Sequence, residues 1–529
     1  PMMQEAERMI LPIYEIENAI VEAFSKESRI VIKAPTGAGK STQIPQILIR
    51  HGLAGRRIVV LQPRRLPARM LAARVAREMN SSLGNAVGYQ IRFDDRSCAD
   101  TRIKFVTEGI LLRQMTLNPS LDDIDVIIFD EFHERHIYSD VTLGRAMQIQ
   151  KTTRPDLKII VMSATLDIAG LENYLSPCKI ITSAGRQYPV TIRYLDKPAD
   201  MQKTPVWDLC VRELEPLLSA QPAGDVLVFM PGSYEISRTM QSLRSSGATR
   251  HCEILPLYGD LPPAQQDAAM EKYGRRKIVV STNVAETSLT IDGITIVMDS
   301  GLARIARFDP NRGINTLMVE KISRSSADQR AGRAGRTAPG VCFRLWTEKE
   351  HSTRTIRETP EIKRIDLAET ILTLRAGGVT DIASFPWFEP PDPAALELAE
   401  SLLRDLGAVN ADGTVTPLGM KLSAFPLHPR YSRMLVAAGD CGCVPSVALV
   451  AAMTQERNIL LATRDKSVSE KRERHLADDT ESDFLTLANA WEYARRMNYD
   501  LPACREVGIH AGTARTISRI YDSFMNIAD

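Results

Sequence analysis

Nine consecutive residues, Ala34-Pro35-Thr36-Gly37-Ala38-Gly39-Lys40-Ser41-Thr42, combine two glycines, a lysine and three hydroxyls in an order suited to holding a polyphosphate. Gly37 and Gly39 let successive backbone N–H groups, with Thr36 and Ala38 between and beside them, turn inward around an anion. Lys40 can reach β- and γ-phosphates, the Ser41 hydroxyl can ligate Mg²⁺, and Thr42 continues the cradle into a helix whose N-terminus faces the same charge. Ala34 stands where the usual pattern has its first glycine. A second string, Asp130-Glu131-Phe132-His133, supplies an acidic pair: Asp130, with Glu131 beside it, can hold Mg²⁺ through its water shell, and Glu131 can take a proton from an attacking water. A third, Gln329-Arg330-Ala331-Gly332-Arg333-Ala334-Gly335-Arg336, spaces three guanidinium groups to fall on one side of a helix, where they can stabilise charge on a transferred phosphoryl group. A ligand-free glycine turn, a helix cap and a solvated basic face each explain one string singly. None explains why all three coexist.

Elements must position these strings. Apolar runs at residues 30–34, 58–61, 103–106, 126–129 and 159–162 each precede a helical pattern, and a second series follows at 226–229, 254–257, 278–281, 294–299 and 342–346. Near-continuous apolar strands imply parallel sheets covered on both faces, with ligands at the strands' carboxyl ends. Those ends carry the polar strings: Gln62-Pro63-Arg64-Arg65, Thr107-Glu108-Gly109, Asp130-Glu131, Ser163-Ala164-Thr165, Met230-Pro231-Gly232 and Thr282-Asn283. The second series has no phosphate loop of its own, so one nucleotide is expected in a cleft between two lobes. An amphipathic lead-in carries Ile13, Ile16, Ile20 and Phe24, and residues 188–195 read as an extended connector. Two β-type runs within residues 301–323, around Pro310-Asn311-Arg312-Gly313, read as a hairpin. From about residue 358 the pattern turns to helices, with a small β-wing near 409–416. Charged residues 466–475 read as a solvated loop.

The phosphate loop, the acidic string and Ser163-Ala164-Thr165, in this order, resemble the superfamily 2 helicases. Asp-Glu-x-His followed by Glu134-Arg135 resembles the DEAH/RHA branch, in a bacterial-type variant with Phe132 replacing Ala. The resemblance covers nearly the whole chain. It implies two tandem RecA-like parallel-sheet lobes (residues 1–187 and 188–355), a winged helix (356–430) and an α-helical ratchet-like bundle (431–529). It implies an NTP-dependent RNA helicase that couples ATP hydrolysis, with Mg²⁺, to 3′–5′ movement on single-stranded RNA and to unwinding of duplexes with an overhang. Arg333 and Arg336 would then be fingers reaching across the cleft. Gln329 would orient the water with Glu131, and His133 would link the acidic string to Gln329. Ser163 and Thr165 would couple hydrolysis to lobe movement. Arg64, Arg65, Arg92, Thr107, Gly232, Thr282 and Asn283 would face the nucleic acid. Asp292 would touch a ribose hydroxyl, favouring RNA over DNA. The base would lie between Arg74 and Met270; with Met in place of an aromatic residue, base selectivity is expected to be loose. The hairpin would act as a wedge at a duplex junction. The branch usually continues into an oligonucleotide-binding barrel, and this sequence stops at Asp529 without one.

The bulk properties set bounds. A chain of 529 residues exceeds one core, and 44% hydrophobic with 25% charged residues is ordinary for a globular protein. A net charge of +1 announces no global basic field, so any nucleic-acid binding must be local. Eight scattered cysteines without a Cys-x-x-Cys pair suit a reducing compartment. With neither a signal pattern nor an apolar run of spanning length, the sequence reads as a soluble cytoplasmic monomer, or, from its Pro1-Met2-Met3 start, a piece of one, with no membrane partner. Two rival functions remain: an RNA clamp that uses nucleotide only as a switch, and a translocase on duplex DNA.

Overall fold

The computed structural model describes residues 11–528 apart from 93, 165–167, 186–187, 202, 222, 288, 310–312, 426, 457, 462, 464 and 477–481. Packing divides the chain into two units, residues 1–365 with 383–392, and residues 366–382 with 393–529.

The first unit holds two sheets. One contains β1 (Arg29–Lys33), β2 (Arg57–Gln62), β3 (Val87–Ile91), β4 (Asp94–Arg96), β5 (Ile103–Thr107), β6 (Ile124–Phe129), β7 (Lys158–Ser163) and β8 (Lys179–Thr182), in the order β4-β3-β5-β2-β6-β7-β1-β8. All its pairings are parallel except that of β3 with β4. Alternate residues of one strand feed two cores: Ile30, Ile32, Ile58 and Val60 enter one, and Val31, Val59 and Leu61 the other. Both faces are therefore covered, which is why these strands show no polar alternation. The lead-in forms a helix, Glu17–Lys26, whose Ile20 and Phe24 lie in the first core with Ile13.

The second sheet contains β9 (Val190–Tyr194), β10 (Asp225–Phe229), β11 (Glu253–Leu257), β12 (Lys277–Ser281), β13 (Ile294–Asp299) and, later in the chain, β16 (Gly340–Arg344), in the order β11-β12-β10-β13-β16-β9. It is built the same way, with Val226 and Val228 on one face and Leu227 and Phe229 on the other. Residues 188–195, expected as a connector, contribute the edge strand β9 in register with β16, Val190 opposite Gly340. The half-exposed alternation of an edge strand lacks the solid apolar run that marks a central one. Between β13 and β16 the expected hairpin forms from β14 (Leu302–Asp309) and β15 (Ile314–Lys321), clasped by an Arg307–Glu320 ion pair. Its turn, with Arg312, lies outside the described residues. Leu317, Met318 and Val319 are exposed on β15.

In the second unit, helices Ala368–Ala376, Pro393–Asp405 and Pro417–Ala424 accompany a wing reduced to one antiparallel bridge, Val409 to Val415. Helices Pro429–Cys441, Val444–Thr454, Asp483–Arg496 and Ala511–Ala528 follow. The charged stretch read as a loop is also helical, Lys466–Leu476. Asp465 accepts a hydrogen bond from the Ser467 N–H at its start, and Arg472 donates to the Gly508 and Leu461 carbonyls. Its Lys, Glu and Arg residues are strong helix formers, and the arginine tie outweighs the polarity that suggested a loop.

Candidate nucleotide and nucleic-acid site

The phosphate loop joins β1 to helix Lys40–Arg50, with Gly39 as its N-cap. Gly37 and Gly39 both have positive φ, +89° and +90°, which a side chain would strain. Residue 34 needs no glycine: Ala34 is buried and its N–H donates to the Ser163 carbonyl on the adjacent strand. The Lys40 ammonium is buried, 3.5 Å from the Glu131 carboxylate. Thr42 donates back to the Gly39 carbonyl.

Strand β6 delivers the acidic pair to the same edge. Asp130 accepts from Gln62 at 2.5 Å and from the Glu131 N–H at 2.9 Å. Burial, then the Glu131 charge, push the Asp130 carboxyl up to about 6, while Lys40 and a hydrogen bond from Ser41 oppose the rise. Glu131 sits at φ +50°, a left-handed position for a non-glycine residue, and strain of this kind gathers at functional sites. Its Oε1 faces Lys40, and its Oε2 has no hydrogen-bond partner among the described residues. His133 Nδ1 lies 3.6 Å from Glu131 and accepts the Ala164 N–H at 3.4 Å. Burial holds this imidazole below its ordinary value, so it is neutral. The contact His133 makes is thus with the Ser163-Ala164 strand end; Thr165 lies outside the described residues.

Across the cleft the three arginines do not share a face. Helix Arg324–Ala331 tightens into a 3₁₀ turn, Gly332–Gly335, and the guanidinium groups diverge. Arg330 turns into its own lobe, paired with Glu286 at 2.8 Å and Asp299 at 2.9 Å over the Phe229 ring. It is a structural residue. Arg330→Ala is expected to destabilise the protein by about 3–5 kcal/mol by stranding two buried carboxylates, a loss measurable by denaturant unfolding. Arg333 donates to the carbonyls of Glu286, Thr287 and Leu289. Arg336 donates to Thr290 Oγ1 at 2.8 Å, while its Nε and Nη2 are buried without a partner among the described residues. A Cβ added at Gly37 would sit 3.4 Å from that Nε, so the Arg336 side chain lies against the phosphate loop. Burial and the adjacent Arg336 charge lower the proton affinity of Arg333, and burial brings Arg336 to about 10. Glu131 and Asp292 favour the Arg336 charge. Gln329 is half-buried on the same segment.

The other expected contacts are dispersed. Arg74 pairs with Glu78, and Met270 packs partly buried against the second lobe's core. Arg65 and Arg92 are exposed. Thr107 caps helix Glu108–Leu117, and Thr282 caps a short turn, Asn283–Ala285. Gly232 admits Arg304, whose Nε would be 2.8 Å from an added Cβ. The Arg64 guanidinium pairs with Glu134 at 2.8 Å and donates to the Asn283 carbonyl. The role of Glu134 in that pairing was missed because a carboxylate beside the acidic string has no signature of its own.

A metal-ligand set of three or more His, Cys, Asp or Glu side chains is absent among the described residues. The Ser41 hydroxyl and Asp130 fit instead a hard cation that draws its remaining ligands from water and phosphate, as Mg²⁺ does. No helix among the described residues is long and apolar enough to cross a membrane.

Two parallel-sheet lobes, one phosphate loop and facing buried arginines define a nucleotide-driven motor of the helicase kind. Residues 14–174 match the DEAD/DEAH box helicase family and 209–338 the helicase conserved C-terminal domain. Residues 399–427 and 428–487 match the winged-helix and ratchet-like helicase associated (HA2) domains. The chain is 38% identical over 95% of its length to a human protein named probable ATP-dependent RNA helicase DHX35, covering 74% of that protein. It is 37% identical over 91% of its length to the Escherichia coli ATP-dependent RNA helicase HrpA, spanning only 38% of it. The crystal structure of the E. coli DEAH/RHA helicase HrpB matches 92% of the chain and is covered over 60% of its own, with TM-score 0.78 and 34% identity. The chain belongs to the DEAH/RHA-type ATP-dependent RNA helicases.

Proposed function

We propose that this chain moves 3′ to 5′ along single-stranded RNA and separates duplexes that carry an overhang, with one Mg²⁺–ATP consumed per cycle in the cleft between the lobes. The observation that carries the reading is the Arg336 guanidinium, its Nε and Nη2 buried without a partner among the described residues, against Gly37 of the phosphate loop. Such a charge is costly unless an anion neutralises it, and a triphosphate in the loop is that anion. When bound, Mg²⁺ offsets charge between the β- and γ-phosphates. Lys40 holds the phosphates, Glu131 accepts the proton of the attacking water with Gln329 beside it, and Arg336 stabilises the charge that develops on the γ-phosphoryl. Arg333, seated on the carbonyls of Glu286, Thr287 and Leu289, sets their position as well as contributing charge.

Arg64, Arg65, Arg92, Thr107, Gly232, Thr282 and Asn283 are proposed to follow the nucleic-acid backbone, with Asp292 at a ribose hydroxyl and the β14–β15 hairpin at the junction. Ser163 and Thr165 are proposed to pass the state of the nucleotide to the lobes. The divisions 1–187, 188–355, 356–430 and 431–529 are retained as the proposed domains, and a monomer in the cytoplasm as the proposed working state. RNA duplexes with a 3′ or a 5′ tail, and DNA equivalents, provide the test. Separation of the 3′-tailed RNA alone supports the proposal. Phosphate release without separation favours a nucleotide-switched clamp, and equal stimulation by DNA favours a general translocase. RNA binding should weaken steeply with salt, as each neutralised phosphate releases counterions.

A further inference from the structure

Three segments of the first unit meet around one buried carboxylate. Glu134 follows the acidic string. Its Oε1 accepts the Thr287 hydroxyl at 2.5 Å, and its Oε2 receives Arg64 at 2.8 Å and His136 Nε2 at 2.9 Å. The other ring nitrogen, His136 Nδ1, lies 3.1 Å from Glu361 Oε1, on the short turn Glu361–Lys363 that follows the second lobe. Glu361 is fixed in turn: its Oε2 accepts the Ile137 N–H at 3.0 Å, and its own N–H donates to the Arg135 carbonyl. Both ring nitrogens of His136 therefore face carboxylate oxygens. A neutral imidazole donates from only one nitrogen and would turn a lone pair on the second carboxylate, so the ring is an imidazolium.

Thr287 is also where the second lobe seats its arginine. The Thr287 side chain reaches Glu134, and its carbonyl, with those of Glu286 and Leu289, receives Arg333. Arg64 adds a second tie from the first lobe to the same stretch, through the Asn283 carbonyl and Thr287 Oγ1.

We infer that His136 is a positioning residue for nucleotide hydrolysis: bridging Glu134 and Glu361, it holds the Glu134 carboxylate on Thr287 and so keeps the Glu286 and Thr287 carbonyls where they seat Arg333 beside the phosphates. The inference rests on the reading of Arg333 and Arg336 given above. The groups that face the imidazole support its charge. Burial opposes it, but Glu361, Glu134 and Glu108 raise its proton affinity well above the ordinary value. Behind them stand Arg64 on Glu134 and Arg364 on Glu361, with Asp140 in electrostatic reach. The sign follows: a proton held more tightly in the folded protein stabilises it below the unfolded histidine's value near 6.5, and that gain is lost as pH rises through the folded value.

The test is a double-mutant cycle in the full chain with saturating single-stranded RNA. It compares the wild type, His136→Gln, Thr287→Val and the double variant, reading kcat and the KM for ATP between pH 6 and 10, with Tm as the fold control. Each single change is expected to lower kcat about 10- to 100-fold, the cost of a small misplacement, while KM for ATP stays within about twofold. The double variant is expected to be no slower than the worse single variant. The wild type is expected to lose activity on the alkaline side in a step that His136→Gln lacks. Losses that multiply in the double variant, an alkaline step shared by both proteins, or a His136→Gln variant with lowered Tm but wild-type kcat would each overturn the inference. Coupling at His136 and Thr287 alongside full activity in Arg336→Ala would count against the finger reading and leave the clasp standing.

Discussion

Glu131→Gln is expected to bind ATP with near-normal affinity and to hydrolyse it about 10²- to 10⁴-fold more slowly, the range lost with a general base. The change is nearly isosteric, so the unusual backbone at φ +50° and the packing of a buried side chain are kept. What is lost is the ability to accept a proton. Glu131 is suited to that task by its surroundings. Its Oε1 faces the Lys40 ammonium at 3.5 Å, its Oε2 is buried with no hydrogen-bond donor among the described residues, and the nearest ring, His133, is neutral. That free oxygen is available to a water, and the amide has only a weak acceptor to offer it. Affinity is expected to hold because the change releases Lys40 from the carboxylate to the phosphates. Rapid-quench hydrolysis of bound ATP, beside equilibrium binding of a fluorescent nucleotide, separates the two effects. Turnover within about tenfold of wild type would reject Glu131 as the base.

How far the chain can be read without its structure depends on the kind of signal. The two sheets were legible because each central strand is buried on both faces, so its apolar run is unbroken, as at residues 58–61 and 278–281. Strand β9 was not, because an edge strand half exposed along its length carries too few apolar residues to mark itself. The phosphate loop and acidic pair were legible because local backbone geometry and the chain's own order fix their chemistry. The arginine string was legible in its composition and misleading in its geometry. Helical spacing put Arg330, Arg333 and Arg336 together, but the helix ends at Ala331 and a 3₁₀ turn carries the rest. Whether a helix tightens there depends on tertiary contacts such as those of Arg333 with Glu286, Thr287 and Leu289, which periodicity does not encode. Arg64 shows the same limit from the other side. An arginine at a strand end reads as a phosphate contact, and its pairing with Glu134 is visible only in the fold. Pairings between residues far apart in sequence, such as Glu134 with Thr287 or His136 with Glu361, leave no local trace at all.

The divergence of the three arginines yields the other large effect. Arg336→Ala is expected to lower kcat by about 10³- to 10⁵-fold, the contribution of an arginine finger to phosphoryl transfer, equivalent to roughly 4–7 kcal/mol of transition-state stabilisation. Folding is expected to be spared. Among the described residues Arg336 satisfies no carboxylate, so its removal strands no buried counter-ion there, unlike the loss of Arg330 with its two acidic partners. Its guanidinium is instead held in waiting. Thr290 fixes one end, while Nε and Nη2 lie beside Gly37 without a partner among the described residues, and burial already weakens its hold on the proton. That desolvation is what makes the charge effective once a triphosphate arrives, because few waters need reorganise. Arg336→Lys should recover only a small part of the loss, since a point charge on a shorter stem lacks the fork of donors. The contrast between Arg330→Ala, lowered in Tm but competent per folded molecule, and Arg336→Ala, stable but inactive, is the decisive comparison. Equal losses of stability in the two, or turnover by Arg336→Ala within about tenfold of wild type, would mean that the cleft does not work as a shared catalytic site.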